Sequence, residues 1–125
     1  MKLVDTSAWI EFLRDRESEV ADRVEELVAA GEAGWCELIA VELWNGARGE
    51  KEKRALEELE EAVVSYPLDA MAWATAKDLA RKCRQSGVTA PTVDVVVAGC
   101  AFRHGLEIEH RDAHFEEMKR VWTGQ

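Results

Sequence analysis

Short apolar runs alternate along this chain with stretches of helical spacing, and that alternation commits it to a parallel sheet layered with helices. Leu3-Val4 reads as a first strand, and Asp5-Thr6-Ser7 as the N-cap of a helix carrying Trp9, Ile10, Phe12 and Leu13. Val20, Val24, Leu27 and Val28 have helical spacing, which predicts a helix from about Ser18 to Ala30, stopped by Gly31. A strand is expected over Ala33 to Cys36 and a helix from Leu38 to Arg48. The charged stretch Glu50 to Val63 turns Leu56, Leu59 and Val63 inward, and Ser65 to Leu68 reads as a short extended piece broken by Pro67. Asp69 caps a helix to about Gln85, ended by Gly87; Pro91 and Thr92 open another to about His104, ended by Gly105. Leu106 to Glu109 alternates as a strand does, Asp112 to Arg120 holds a further turn or two of helix, and Val121-Trp122 is expected as a final edge strand.

The most apolar segment, Val95 to Ala101, is the hardest to place. Its β-branched residues favour a strand. Its length, its helix-start signal and its closing glycine favour a buried helix, with Gly99 and Ala101 allowing close approach to neighbours.

At 125 residues the chain is expected to form one domain, spanning 1–125, around one core. There is no internal repeat, linker or low-complexity tract. No apolar stretch is long enough to cross a bilayer, and the opening residues read as a strand rather than a signal peptide. Cys36, Cys83 and Cys100 are odd in number and lie in apolar segments, as buried reduced thiols of a cytoplasmic protein would. Sixteen basic against twenty-five acidic residues leave a net charge of −9. That argues against holding nucleic acid by general attraction. It leaves room for an enzyme that meets nucleic acid at a metal-loaded cleft, or for a basic protein partner.

Four acids interrupt or end these apolar segments: Asp5, Glu42, Asp94 and Asp112. A charge embedded in apolar sequence is costly unless it is paired or metal-bound. Lysine and arginine are mostly absent beside the first three, so an external cation is the natural partner, and hard oxygen donors suit Mg²⁺ or Mn²⁺. In a parallel sheet, ligands bind outside the carboxyl ends of the strands. Asp5 and Asp112 lie at such ends, while Glu42 and Asp94 lie near the starts of helices, so one cleft is expected to collect all four. Each acid taken alone also reads as a cap, a first-turn acid or a solvated residue.

Four pieces carry a resemblance: MKLVDTSAWI over residues 1–10, VELWNGAR over 41–48, TVDVVVA over 92–98 and HRDAHF over 110–115. In this order they resemble the PIN domain, and in particular the ribonuclease toxins of VapBC-type toxin–antitoxin systems. The resemblance implies an α/β/α sandwich with a short, mainly parallel sheet. It implies an Mg²⁺- or Mn²⁺-dependent endoribonuclease that hydrolyses transfer or ribosomal RNA through a metal-activated water. Asp5, Glu42 and Asp94 are then the principal metal ligands and catalytic residues, with Asp112 as a fourth acting through water or on a second ion. A homodimer and a VapB-like antitoxin covering the cleft are also implied. The pattern departs at His114, where the family often carries a second acid, and at Glu37, near a frequent serine or threonine.

Thr6 or Ser7 is expected to hydrogen-bond Asp5 or a metal-bound water. Arg48 and Arg111 are the candidate RNA contacts, and Arg14 and Arg16 are placed to reach the same cleft. His110 and His114 have a spacing that suits zinc, but no glutamate follows His110 and no cysteine lies near. The five tryptophans are expected mostly in the core, with Trp9 and Trp44 as candidates to line a groove for an antitoxin helix. Two other functions compete. One is a catalytically silent PIN-like binding or regulatory module. The other, a domain with a nucleophilic aspartate, wants a lysine and a serine or threonine at later strand ends that do not stand out.

Overall fold

The computed structural model describes residues 1–124 as a four-stranded parallel sheet with helices between and after its strands. The elements are β1 (Lys2–Val4), α1 (Thr6–Leu13), α2 (Glu19–Ala29), β2 (Ala33–Trp35), α3 (Glu37–Asn45), α4 (Gly49–Ala62), β3 (Val64–Ser65), α5 (Ala70–Ser86), α6 (Thr92–Arg103), β4 (Glu107–Glu109) and α7 (Ala113–Thr123). The strand order is β3-β2-β1-β4. Lys2 pairs with Ala33 on one side and Glu107 on the other, and Gly34 pairs with Val64.

The strands are short but deeply covered. Leu3, Val4, Trp35 and Val97 are essentially inaccessible and share one core with Ile39, Leu56, Leu79 and Met118. Trp9 packs edge-on against Trp35 at 5.9 Å between ring centroids. The expected groove role for Trp9 is therefore wrong: its ring is buried in the core.

The chain steps from β1 to β2 to β3 in one direction, then returns to the far side of β1. Helix α1 packs on α2 and α3, and α3 on α4, while α5 packs on α6. α7 packs against α5 and α6. The order thus reverses between β1 and β4, and the crevice above their carboxyl ends is where a parallel sheet of this kind receives a ligand.

The Val95-Val96-Val97 run is helical, as its length and flanks indicated. A Cβ on Gly99 would stand 2.7 Å from both Cα and Cβ of Ala76, so α5 and α6 are nearly in backbone contact. Val121 and Trp122 are not a strand. They continue α7, because Phe115, Met118 and Trp122 recur at helical intervals and Trp122 stacks on Phe102 at 5.7 Å. The helix expected to reach Arg48 stops at Asn45, where Gly46 caps it. The extended piece expected at Ser65 begins one residue earlier, beside Gly34.

Candidate functional site

Asp5 follows the central strand and caps α1. Its backbone N–H donates to the Glu109 carbonyl at 2.9 Å, which ties the end of β1 to the end of β4. Its side chain is buried at 2 % exposure. Oδ2 accepts from the Ser7 backbone N–H at 3.2 Å and from Ser7 Oγ at 2.9 Å. Oδ1 is buried with no hydrogen-bond partner. Burial pushes the Asp5 carboxyl above the usual carboxylate range; the Ser7 hydrogen bonds oppose this, and the nearby charge of Asp94 adds to it. Loss of solvent is thus the larger cause of the rise and the neighbouring acid the smaller.

Glu42 stands on the middle of α3 and accepts from Thr6 Oγ1 at 2.7 Å. The two hydroxyls after Asp5 therefore divide their work, Ser7 holding Asp5 and Thr6 reaching across to Glu42. Asp94 lies in the first turn of α6, where the helix dipole favours an anion. Its Oδ2 stands 2.7 Å from His114 Nε2. A carboxylate only accepts, so when Asp94 is ionised Nε2 is the donor. His114 is consequently a partner of the site rather than a free surface residue.

Asp112 is the N-cap of α7 but makes no side-chain cap bond. Its backbone N–H donates to His110 Nδ1 at 3.2 Å, and His110 Nε2 faces Glu116 at 3.0 Å. The two histidines take separate partners, which leaves no support for the zinc spacing. Arg111 donates its backbone N–H to Ser7 Oγ at 3.2 Å, so the segment before Asp112 rests on the same serine that holds Asp5.

Each of the outer arginines meets a glutamate. Arg48 is exposed, and its backbone N–H donates to Glu52 Oε2 at 2.6 Å. Arg14 Nε donates to Glu52 Oε1 at 2.9 Å. Arg16 and Arg111 both turn to Glu11, a buried carboxylate that the sequence reading passed over. The signal was available: Glu11 interrupts Trp9-Ile10 and Phe12-Leu13 just as the four acids interrupt their own apolar segments. Glu109, also buried, is held by Arg23 Nε at 3.1 Å to both oxygens and serves the sheet edge.

The chain now has a topology, a site position and an ordered set of acids that can be compared with known proteins. A family model described as PIN domain matches residues 2–121. The chain belongs to the PIN-domain family. This PIN domain is 36 % identical over 125 residues to a VapC ribonuclease of Mycobacterium bovis and to ribonuclease VapC11 of Mycobacterium tuberculosis, spanning 97 % of this chain and 93 % of each relative. Its fold is shared with FitAcB from Neisseria gonorrhoeae at TM-score 0.74 and 22 % identity, covering 95 % of this chain and 94 % of that one. It is also shared with VapBC2 from Rickettsia felis, solved bound to a promoter DNA fragment, at TM-score 0.76 and 14 % identity, covering 95 % and 91 %.

The acids of this PIN domain are not gathered around a common point. As they stand, no three His, Cys, Asp or Glu side chains among the described residues are gathered closely enough to grip an ion. Glu42 is turned to Thr6 and Asp94 to His114. In favour stand the unpartnered, buried Oδ1 of Asp5 and the raised carboxyl that carries it. An orphaned acidic oxygen beside a second acid is costly for the protein alone. The donor set is all hard oxygen, the chemistry Mg²⁺ and Mn²⁺ prefer. The chemistry of the donors suits such an ion, although Glu42 and Asp94, now held by Thr6 and His114, would have to move to join Asp5 around it.

Proposed function

We propose that this PIN domain is an Mg²⁺- or Mn²⁺-dependent endoribonuclease and the toxin of a type II toxin–antitoxin pair. The observation that carries the reading is Asp5 Oδ1: buried, without a donor, and close enough to Asp94 to feel its charge. The names of the relatives supply the reaction class, RNA hydrolysis.

Asp5, Glu42 and Asp94 would hold the ion, with Asp112 completing the set through water. Bound there, the ion supplies Lewis-acid activation of a water and neutralises charge on the scissile phosphate. The chain's own part is orientation. Ser7 fixes Asp5, Thr6 fixes Glu42, and His114 fixes Asp94 by its Nε2–H. Trp9, one helical turn after Asp5, and Val97, one turn after Asp94, are fully buried and anchor those segments in the core.

The proposed partner is a VapB-like antitoxin, whose helix would meet the exposed Val41 and Trp44 on the helix that bears Glu42. A homodimer, a transfer or ribosomal RNA substrate and a cytoplasmic location belong to the same proposal. No helix among the described residues is long and apolar enough to cross a membrane. The alternative is a catalytically silent module, and the engagement of Glu42 and Asp94 by neighbours is the observation in its favour.

Expression of the chain alone separates the two readings. The nuclease arrests growth, cleaves RNA with Mn²⁺ in purified form, and loses both properties in Asp5→Asn and Asp94→Asn. A harmless wild type that leaves RNA intact with Mn²⁺ overturns the proposal.

A further inference from the structure

Glu11 lies on α1, about 9 Å along the helix from Asp5 at 1.5 Å per residue. Its side chain is 4 % exposed, and each of its oxygens is taken by a different arginine. Arg111 Nη1 donates to Oε1 at 2.7 Å, and Arg16 Nη1 donates to Oε2 at 3.0 Å. The two arginine side chains remain about half exposed, at 54 % and 49 %. Two guanidiniums thus share one carboxylate, so neither charge is fully spent on Glu11, although Asp22 and Glu25 line the same hollow as Arg16.

The backbone is bent to make this arrangement. After α1 the chain enters the left-handed region at Asp15, with φ 50°. Arg16 N–H then donates to the Glu11 carbonyl at 3.0 Å and Asp15 N–H to the Phe12 carbonyl at 3.2 Å, a Schellman closure with aspartate where glycine is usual. The turn throws Arg16 back over the helix that it has just left. Asp15 itself is held away by Lys51 at 2.8 Å.

A buried carboxylate held by two half-exposed arginines is a poor way to gain stability, since an apolar side chain of similar volume serves as well or better. What the triad does provide is two guanidiniums anchored on the two oxygens of one carboxylate, each with further N–H groups suited to phosphate oxygens. We propose that Arg16 and Arg111, held by the positioning residue Glu11, form a subsite for an RNA phosphate flanking the one attacked at Asp5. The inference rests on the proposed RNA substrate. Arg111 links the subsite to the site, because its own backbone N–H donates to the serine that orients Asp5.

The test measures binding without cleavage. Full-length protein in EDTA is titrated into a fluorescein-labelled single-stranded RNA oligonucleotide at several salt concentrations, and anisotropy gives Kd. Each phosphate neutralised on a single strand contributes about 0.7 to the slope of log K against log salt, so the double variant Arg16→Gln/Arg111→Gln, which empties a one-phosphate subsite, should lose about 0.7.

Glu11→Gln is the sharper arm. Removing a negative charge should tighten RNA binding if only net charge matters. A positioning role predicts the opposite, a Kd that rises roughly tenfold, the equivalent of one charge-assisted contact. Circular dichroism establishes that each variant is folded, and the arginine double variant carries the test if Glu11→Gln is not.

Wild type that does not bind, or an unchanged slope in the double variant, overturns the subsite. Glu11→Gln binding as tightly as wild type overturns the role of Glu11. A wild type that binds through these arginines yet never cleaves with Mn²⁺ overturns the nuclease reading and leaves the subsite standing.

Discussion

His114 Nε2 stands 2.7 Å from Asp94 Oδ2 across 20 residues of sequence, joining the first turn of α7 to the first turn of α6. The contact fixes one oxygen of the acid. A donor of this kind orients a metal-binding carboxylate, and its loss commonly weakens affinity by ten- to a hundredfold. His114→Ala is therefore expected to weaken Mn²⁺ binding about tenfold. His114→Asn, which keeps an N–H, should recover part of it. Isothermal titration with Mn²⁺ reads both; an unchanged affinity in His114→Ala would show that the pair is only a packing contact.

Asp5→Asn should abolish RNA cleavage and, in metal-free buffer at neutral pH, raise Tm by a few degrees. The raised Asp5 carboxyl explains the sign. An acid whose pKa is higher folded than unfolded binds its proton more tightly when folded, so stability grows as pH falls through that raised value toward the usual carboxylate range. It is given up again as pH rises. The Tm advantage of Asp5→Asn is thus expected to be largest near neutrality and to shrink on acidification. Scanning calorimetry of both proteins over pH checks this, and an advantage independent of pH would rule out Asp5 as its source.

Millimolar Mg²⁺ or Mn²⁺ should raise the Tm of the wild type by binding only the folded chain. The same addition should do much less for Asp5→Asn. Equal shifts in the two proteins, read by differential scanning fluorimetry, would locate the cation elsewhere.

Asp15→Gly should stabilise the protein by about 1 kcal/mol, the usual cost of an L side chain in the left-handed region. The exposed pair with Lys51 that it sacrifices is worth little. Urea denaturation measures the difference, and destabilisation would mean that the turn is held by Asp15's own contacts.

Where apolar runs and their flanking signals coincided, the sequence was readable. Asp5 after Leu3-Val4 and the buried helix opened by Asp94 both followed from local pattern, and both lie where that pattern put them. The end of α7 did not, because Val121-Trp122 has strand chemistry in isolation; its spacing from Phe115 and Met118 was the better guide. The pairing of Thr6 with Glu42 spans 36 residues and depends on how α1 and α3 pack. No local signal carries such a contact. Glu11 was a different case, since the rule already applied to the other acids would have singled it out.

The near-contact of Gly99 with Ala76 has a genetic consequence. A random-mutagenesis screen for survivors of induced expression would be expected to return substitutions at 99 alongside those at the acids, although this residue has no functional group at all. Its hydrogen atom sets how closely two helices lie, and so where the carboxylate at 94 is carried; inheritance at that codon would be governed by room alone.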